Sequence, residues 1–83
     1  MTIEGYRVYL STMGNQKFID SEISKLIMIE QTLGVDIDDY IPYNGEYSKV
    51  TMLEGAMIEK MRFSEDIQSA LNRYIGYKLN SGR

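Results

Sequence analysis

The chain contains no cysteine, no histidine and no tryptophan, and only one proline, Pro42. Without cysteine there is no disulfide to staple a small core and no thiolate metal site. Without histidine, the commonest general base near neutral pH and the commonest transition-metal ligand are both missing. No apolar run approaches the length of about 18 residues that a membrane-spanning helix needs. The opening stretch MTIEGYRVYL lacks the basic-then-apolar layout of a secretion signal, so a cytoplasmic location is expected. Charge of one sign is also scarce. Nine basic residues against twelve acidic ones leave a net charge of −3, neither a basic nucleic-acid binder overall nor a strongly acidic mimic of one.

What is present fits one small soluble domain spanning residues 1–83. Hydrophobic residues make up 43% and charged residues 25%, which is ordinary for a globular chain. A chain of this size buries only roughly 60% of its unfolded surface, so the core must be economical. No internal repeat, low-complexity tract or linker divides it.

Helical spacing accounts for most of the apolar residues, and the expected fold class is all-α, a compact bundle of four or five short helices. Ile3, Tyr6, Leu10 and Met13 line one side of a first helix that Gly14 can close in the left-handed conformation. Gly5 within it costs about 1 kcal/mol relative to alanine. Ile19, Ile23, Leu26, Ile27 and Leu33 line a second helix, which Gly34 stops. Asp20 or Ser21 can cap its start, with Glu22 in the first turn, unless the helix begins a turn earlier near Gln16. Pro42 and the turn chemistry of Tyr43–Tyr47 then predict a loop, with Ile37, Tyr40 and Ile41 forming a short helical turn that plugs the core. A third helix is expected from Ser48 to Arg62. Ser48 is its N-cap, Tyr47 and Met52 form a hydrophobic staple, and Val50, Leu53, Met57, Ile58 and Met61 face the core. The fourth starts at Ser64 with Glu65 and Asp66 in its first turn, carries Ile67, Ala70, Leu71, Tyr74, Ile75 and Leu79 on its apolar stripe, and ends at Ser81-Gly82. Short connections favour antiparallel neighbours.

Few residues suggest chemistry. Asp36, Asp38 and Asp39 alternate as in a calcium loop, but the sixth position from Asp36 is Ile41 and the twelfth is Tyr47, where glycine and glutamate are required. These acids are better read as loop solvation and a cap. Serine and threonine lack a histidine to activate them, and Tyr43–Tyr47 lacks the second glycine and the lysine of a phosphate loop. No catalytic residue, cofactor or metal is expected, and the chain is read as not an enzyme. Met28, Met52, Met57 and Met61 suit irregular core gaps, or alternatively an adaptable protein-binding surface. In the last helix, Asn72, Arg73, Tyr77 and Lys78 interleave cations with an aromatic. That pattern can hold phosphates and stack on bases, or it can be a solvated face whose cations complement the helix dipole.

Three stretches, YRVYLSTMG, ISKLIMIEQTLGVDIDD and SALNRYIGYKL, together resemble the SAM-like core-binding domain at the N-terminus of tyrosine recombinases and phage integrases. Similar modules begin some restriction endonucleases. The matching positions are Tyr9-Leu10, Gly14, the helix over 16–33, and Ser69-Ala70-Leu71 with Arg73 and Tyr74. The resemblance implies a helical clamp on duplex DNA that performs no chemistry, serving recombination or restriction, as the N-terminal module of a larger protein or a free-standing relative. Lys17, Lys25, Asn72, Arg73, Tyr77 and Lys78 are then the expected DNA-contacting residues. The second helix keeps only Lys17 and Lys25 beside Asp20, Glu22 and Glu30, where the family usually has several basic residues. So few phosphate contacts predict weak binding by the isolated chain. The alternative is a small acidic protein-interaction or oligomerisation module of phage type, with self-association as one version.

Overall fold

A computed structural model describes residues 1–42, 47–61 and 64–81. It is all-helical: α1 (Ile3–Ser11), α2 (Gln16–Leu33), a 3₁₀ turn (Ile37–Tyr40), α3 (Ser48–Lys60) and α4 (Glu65–Ser81), with no strand among the described residues. α2 is the organising element, packing against α1, α3 and α4. α1 also meets α4, and α3 meets the 3₁₀ turn. The extents of 32 × 30 × 20 Å make the molecule about two helices thick.

Local chemistry explains the boundaries. Asn15 Oδ1 accepts the Phe18 N–H at 3.0 Å, so α2 starts at Gln16, a turn before Asp20 and Ser21. Gly34, at φ +67°, reverses the chain after α2, and its N–H and that of Val35 both bond the Glu30 carbonyl. Asp36 Oδ1 accepts from the Asp38 N–H and caps the 3₁₀ turn, as its place in the acid cluster suggests. Ser64 Oγ accepts from the Ile67 N–H at the start of α4, with Glu65 and Asp66 in the first turn as expected.

The core joins all five elements. Tyr6, Leu10, Leu26, Ile29, Ile37, Leu53, Met57, Leu71 and Tyr74 are almost completely buried. Ile37 and Ile41 plug it as the sequence predicts. Buried Ile67, Ala70, Leu71, Tyr74 and Ile75 carry the expected stripe of α4.

Several local expectations are corrected. Met13 lies beyond the end of α1 and is half exposed. The only positive-φ glycine among the described residues is Gly34, so Gly14 does not close α1 in the left-handed form. On α3, Tyr47 occupies the N-cap position with no side-chain cap, Ser48 is already helical, and Tyr47 and Met52 are both exposed. The capping serine and the staple are therefore absent. Ile58 follows Met57 by 100° around the helix and faces out, which leaves Val50, Leu53 and Met57 as a narrow buried stripe. The methionines divide: Met57 fills the core and Met61 is partly buried against it, while Met28 and Met52 are exposed. α3 ends at Lys60, with Met61 already extended, two residues short of the expected Arg62, while the expected turn at Tyr43–Tyr47 and the end of α4 at Gly82 lie, in whole or part, outside the described residues.

Candidate functional site

Glu22 occupies a core position of α2, between Ile19 and Leu26 on the same side of the helix, and is the one buried charged residue identified among the described residues. A carboxylate removed from water needs a cation or several hydrogen bonds. Arg73 of α4 supplies the cation: its Nη1 donates to Glu22 Oε1. The guanidinium also lies over the Phe18 ring, 5.4 Å from its centroid. Phe18 and Glu22 are one turn apart on α2, so the arginine is gripped by a ring and a carboxylate together. Tyr6 presents its buried hydroxyl to this pair. Burial, and secondarily the Glu22 charge, push that hydroxyl well above the ordinary tyrosine range. Tyr6 Oη and Glu22 Oε2 are the two buried side-chain polar atoms with no hydrogen-bond partner among the described residues.

Tyr77 belongs to an aromatic cluster. Its ring centroid is 5.2 Å from that of Tyr6 and 5.0 Å from that of Tyr9, and Tyr6 meets Tyr74 edge-on at 4.9 Å. These separations suit attractive ring contacts. Gly5 permits the approach, since a Cβ there would lie 2.6 Å from the Tyr77 hydroxyl.

A second polar seam joins the start of the chain, the 3₁₀ turn and α4. Tyr74 accepts from the Thr2 N–H at 3.0 Å and donates to Asp38 Oδ1. Burial, with the Asp38 hydrogen bond next, raises the Tyr74 hydroxyl well above its usual range. Lys78 Nζ lies 3.6 Å from Asp38 Oδ2 and 3.3 Å from Thr2 Oγ1. The Met1 α-ammonium lies 2.6 Å from Asp36, 3.3 Å from Glu30 and 3.8 Å from Asp38.

The six residues expected to contact DNA therefore stand in different surroundings. Lys17 is exposed in the first turn of α2, Lys25 is half-buried two turns on, and Asn72 is exposed on α4. Arg73 faces Glu22, while Lys78 faces Asp38 and Thr2. Five residues at 100° each place Arg73 and Lys78 roughly 140° apart around α4. They do not form one stripe.

Sequence reasoning missed Glu22, placing it in a first turn behind an Asp20 or Ser21 cap, whereas the helix takes the alternative start near Gln16. The signal was present: a glutamate in register with the apolar stripe needs a partner in the fold. The carboxylates around the Met1 amine carried no comparable signal, because the chain start has no periodicity to place it. No protein-family model matches this sequence, and no curated protein or solved structure matches it either.

Proposed function

We propose that the chain is a protein-interaction module that self-associates through the outer face of α3. The observation that carries this reading is that Met52 and Ile58 are 68% and 65% exposed on a helix whose main packing is with α2 and the 3₁₀ turn alone. Tyr47, just before the helix, is exposed as well. Ser48, Met52, Gly55 and Glu59 recur at three- and four-residue spacing, a strip with Met52 as its apolar side chain, and Ile58 flanks it about 120° round the helix from Met52. A Cβ at Gly55 would meet nothing within 4 Å, so the strip is open there.

Charge favours a second copy as the occupant. α3 carries Lys49 near its start, and Glu59 followed by Lys60 near its end. Two copies laid antiparallel bring Lys49 of each towards Glu59 of the other, with Met52 against Ala56. A twofold contact of this kind is self-complementary. DNA contact is the less favoured reading because Arg73 and Lys78 already face carboxylates of their own chain. Charge held this way adds little to counterion release from phosphates.

Sedimentation equilibrium of the pure chain over a wide concentration range tests the proposal. The expected result is a concentration-dependent dimer that Met52→Glu disperses without loss of helical content. A strictly monomeric chain overturns it. A monomer that also binds a mixed-sequence duplex at low salt moves the function to the DNA-recognition reading.

A further inference from the structure

We propose that Met52 is an oxidation site through which hydroperoxides control the self-association of α3, the thioether permitting the dimer and the sulfoxide dispersing it. This deepens the self-association reading above and rests on it.

The structure sorts the methionines by access. Met52 is 68% exposed, Met13 50% and Met28 42%, whereas Met57, five residues along the same helix, is completely buried. Met1 and Met61 are partly buried against the core. The chain has no cysteine, so thioethers are its only sulfur and no thiolate competes for an oxidant. Oxidation of methionine follows exposure, which places Met52 first.

The chemistry needs a hydroperoxide and nothing from the protein beyond the sulfur. A sulfur lone pair attacks one peroxide oxygen, a sulfur–oxygen bond forms and the oxygen–oxygen bond breaks. The thioether is oxidised by two electrons to a sulfoxide. The leaving hydroxide takes the proton of the transferred oxygen and departs as water, so the peroxide is the species reduced.

The product has different effects on the fold and on the contact. Val50, Leu53 and Met57 hold α3 to the rest of the chain from its other side, so a sulfoxide on the outer face leaves the helix in place. In the antiparallel pairing Met52 lies against Ala56 of the second copy, and alanine has no side-chain donor for a sulfoxide oxygen. The Thr51 hydroxyl beside it already donates to the Tyr47 carbonyl at 3.1 Å. A buried acceptor without a donor weakens the contact, and twofold symmetry places that defect in the interface twice. Dimerisation also covers the sulfur, so the oxidant reacts with the monomer. Assembly and oxidation then oppose one another by mass action.

The test treats the chain with graded hydrogen peroxide, reads sulfoxide at each methionine by fragment mass spectrometry, and measures association by sedimentation equilibrium. Met52 is expected to oxidise ahead of Met57, and more slowly at protein concentrations where the dimer dominates, while Met13 keeps one rate throughout. Oxidation of Met52 should raise the dimer Kd by about tenfold or more with helical content retained. Methionine sulfoxide reductases should restore the original Kd. A Met52→Leu chain should dimerise and stay assembled at the same peroxide dose, whereas a Met13→Leu/Met28→Leu chain should respond like the parent. An untreated chain that is monomeric overturns this inference together with the self-association reading. An untreated dimer whose Kd is unchanged once Met52 is a sulfoxide overturns the inference alone, as does equal dispersal of the Met52→Leu chain or oxidation of Met57 ahead of Met52.

Discussion

The Arg73–Glu22 pair decides what a charge on α4 is for. An arginine in a cationic and aromatic stretch reads as a phosphate contact, yet here its partner is a buried carboxylate and its platform is Phe18. Removing one member of such a pair leaves the other uncompensated, whereas replacing both with apolar groups can be nearly neutral. Arg73→Ala is therefore expected to cost about 2 kcal/mol, below the fully buried range because the guanidinium side is part-exposed. The double variant Glu22→Leu/Arg73→Leu should recover most of that loss. Urea unfolding of the four members of the cycle measures the coupling. Arg73 sat among the candidate residues because its type and spacing were visible. Its partner was 51 positions away, and no local pattern reports a contact at that distance.

At the scale of the elements, the apolar periodicity of the sequence was enough to locate all four helices and the 3₁₀ plug. Boundaries followed where a cap was written locally, as at Ser64 and Gly34. Where two starts competed, the sequence left both open, and the helix takes the earlier one near Gln16. Asn15 won over Asp20 and Ser21 because starting at Gln16 brings Phe18 and Ile19 into the helix. Two helical glycines, one on α4 and one on α1, show how one residue type has different consequences by position. A Cβ added at Gly76 would meet nothing within 4 Å, so Gly76→Ala should stabilise by about 0.4–1 kcal/mol through helix propensity and a restricted unfolded chain. Gly5→Ala gains the same propensity but drives a methyl into the Tyr77 hydroxyl, within a ring cluster that has little room to yield. Chemical denaturation should show the first variant stabilised and the second not.

For the whole molecule, the polar seams set a stability window in pH. Asp36 is held below its ordinary 3.8 by the Met1 ammonium and by the Asp38 N–H. A carboxyl depressed in the folded state contributes stability above its unfolded value and loses it as pH falls through the folded one. On the alkaline side, Tyr6 and Tyr74 are both raised from 10.0, so their contribution is lost only above that value. Denaturation midpoints should form a plateau from about pH 5 to 8, with an alkaline decline where tyrosines ionise in the unfolded chain. Circular dichroism across that range checks both flanks.

The one-sided packing of α3 carries a kinetic consequence. α1, α2 and α4 are cross-linked by the Arg73 pair, the tyrosine cluster and the Met1 seam, whereas α3 rests on α2 and the 3₁₀ turn through the narrow stripe of Val50, Leu53 and Met57. Opening free energies follow such differences in buried contact. Amide protons of α3 should therefore trade with deuterated solvent through partial openings, while those of Leu26 and Leu71 wait for the entire chain to come apart.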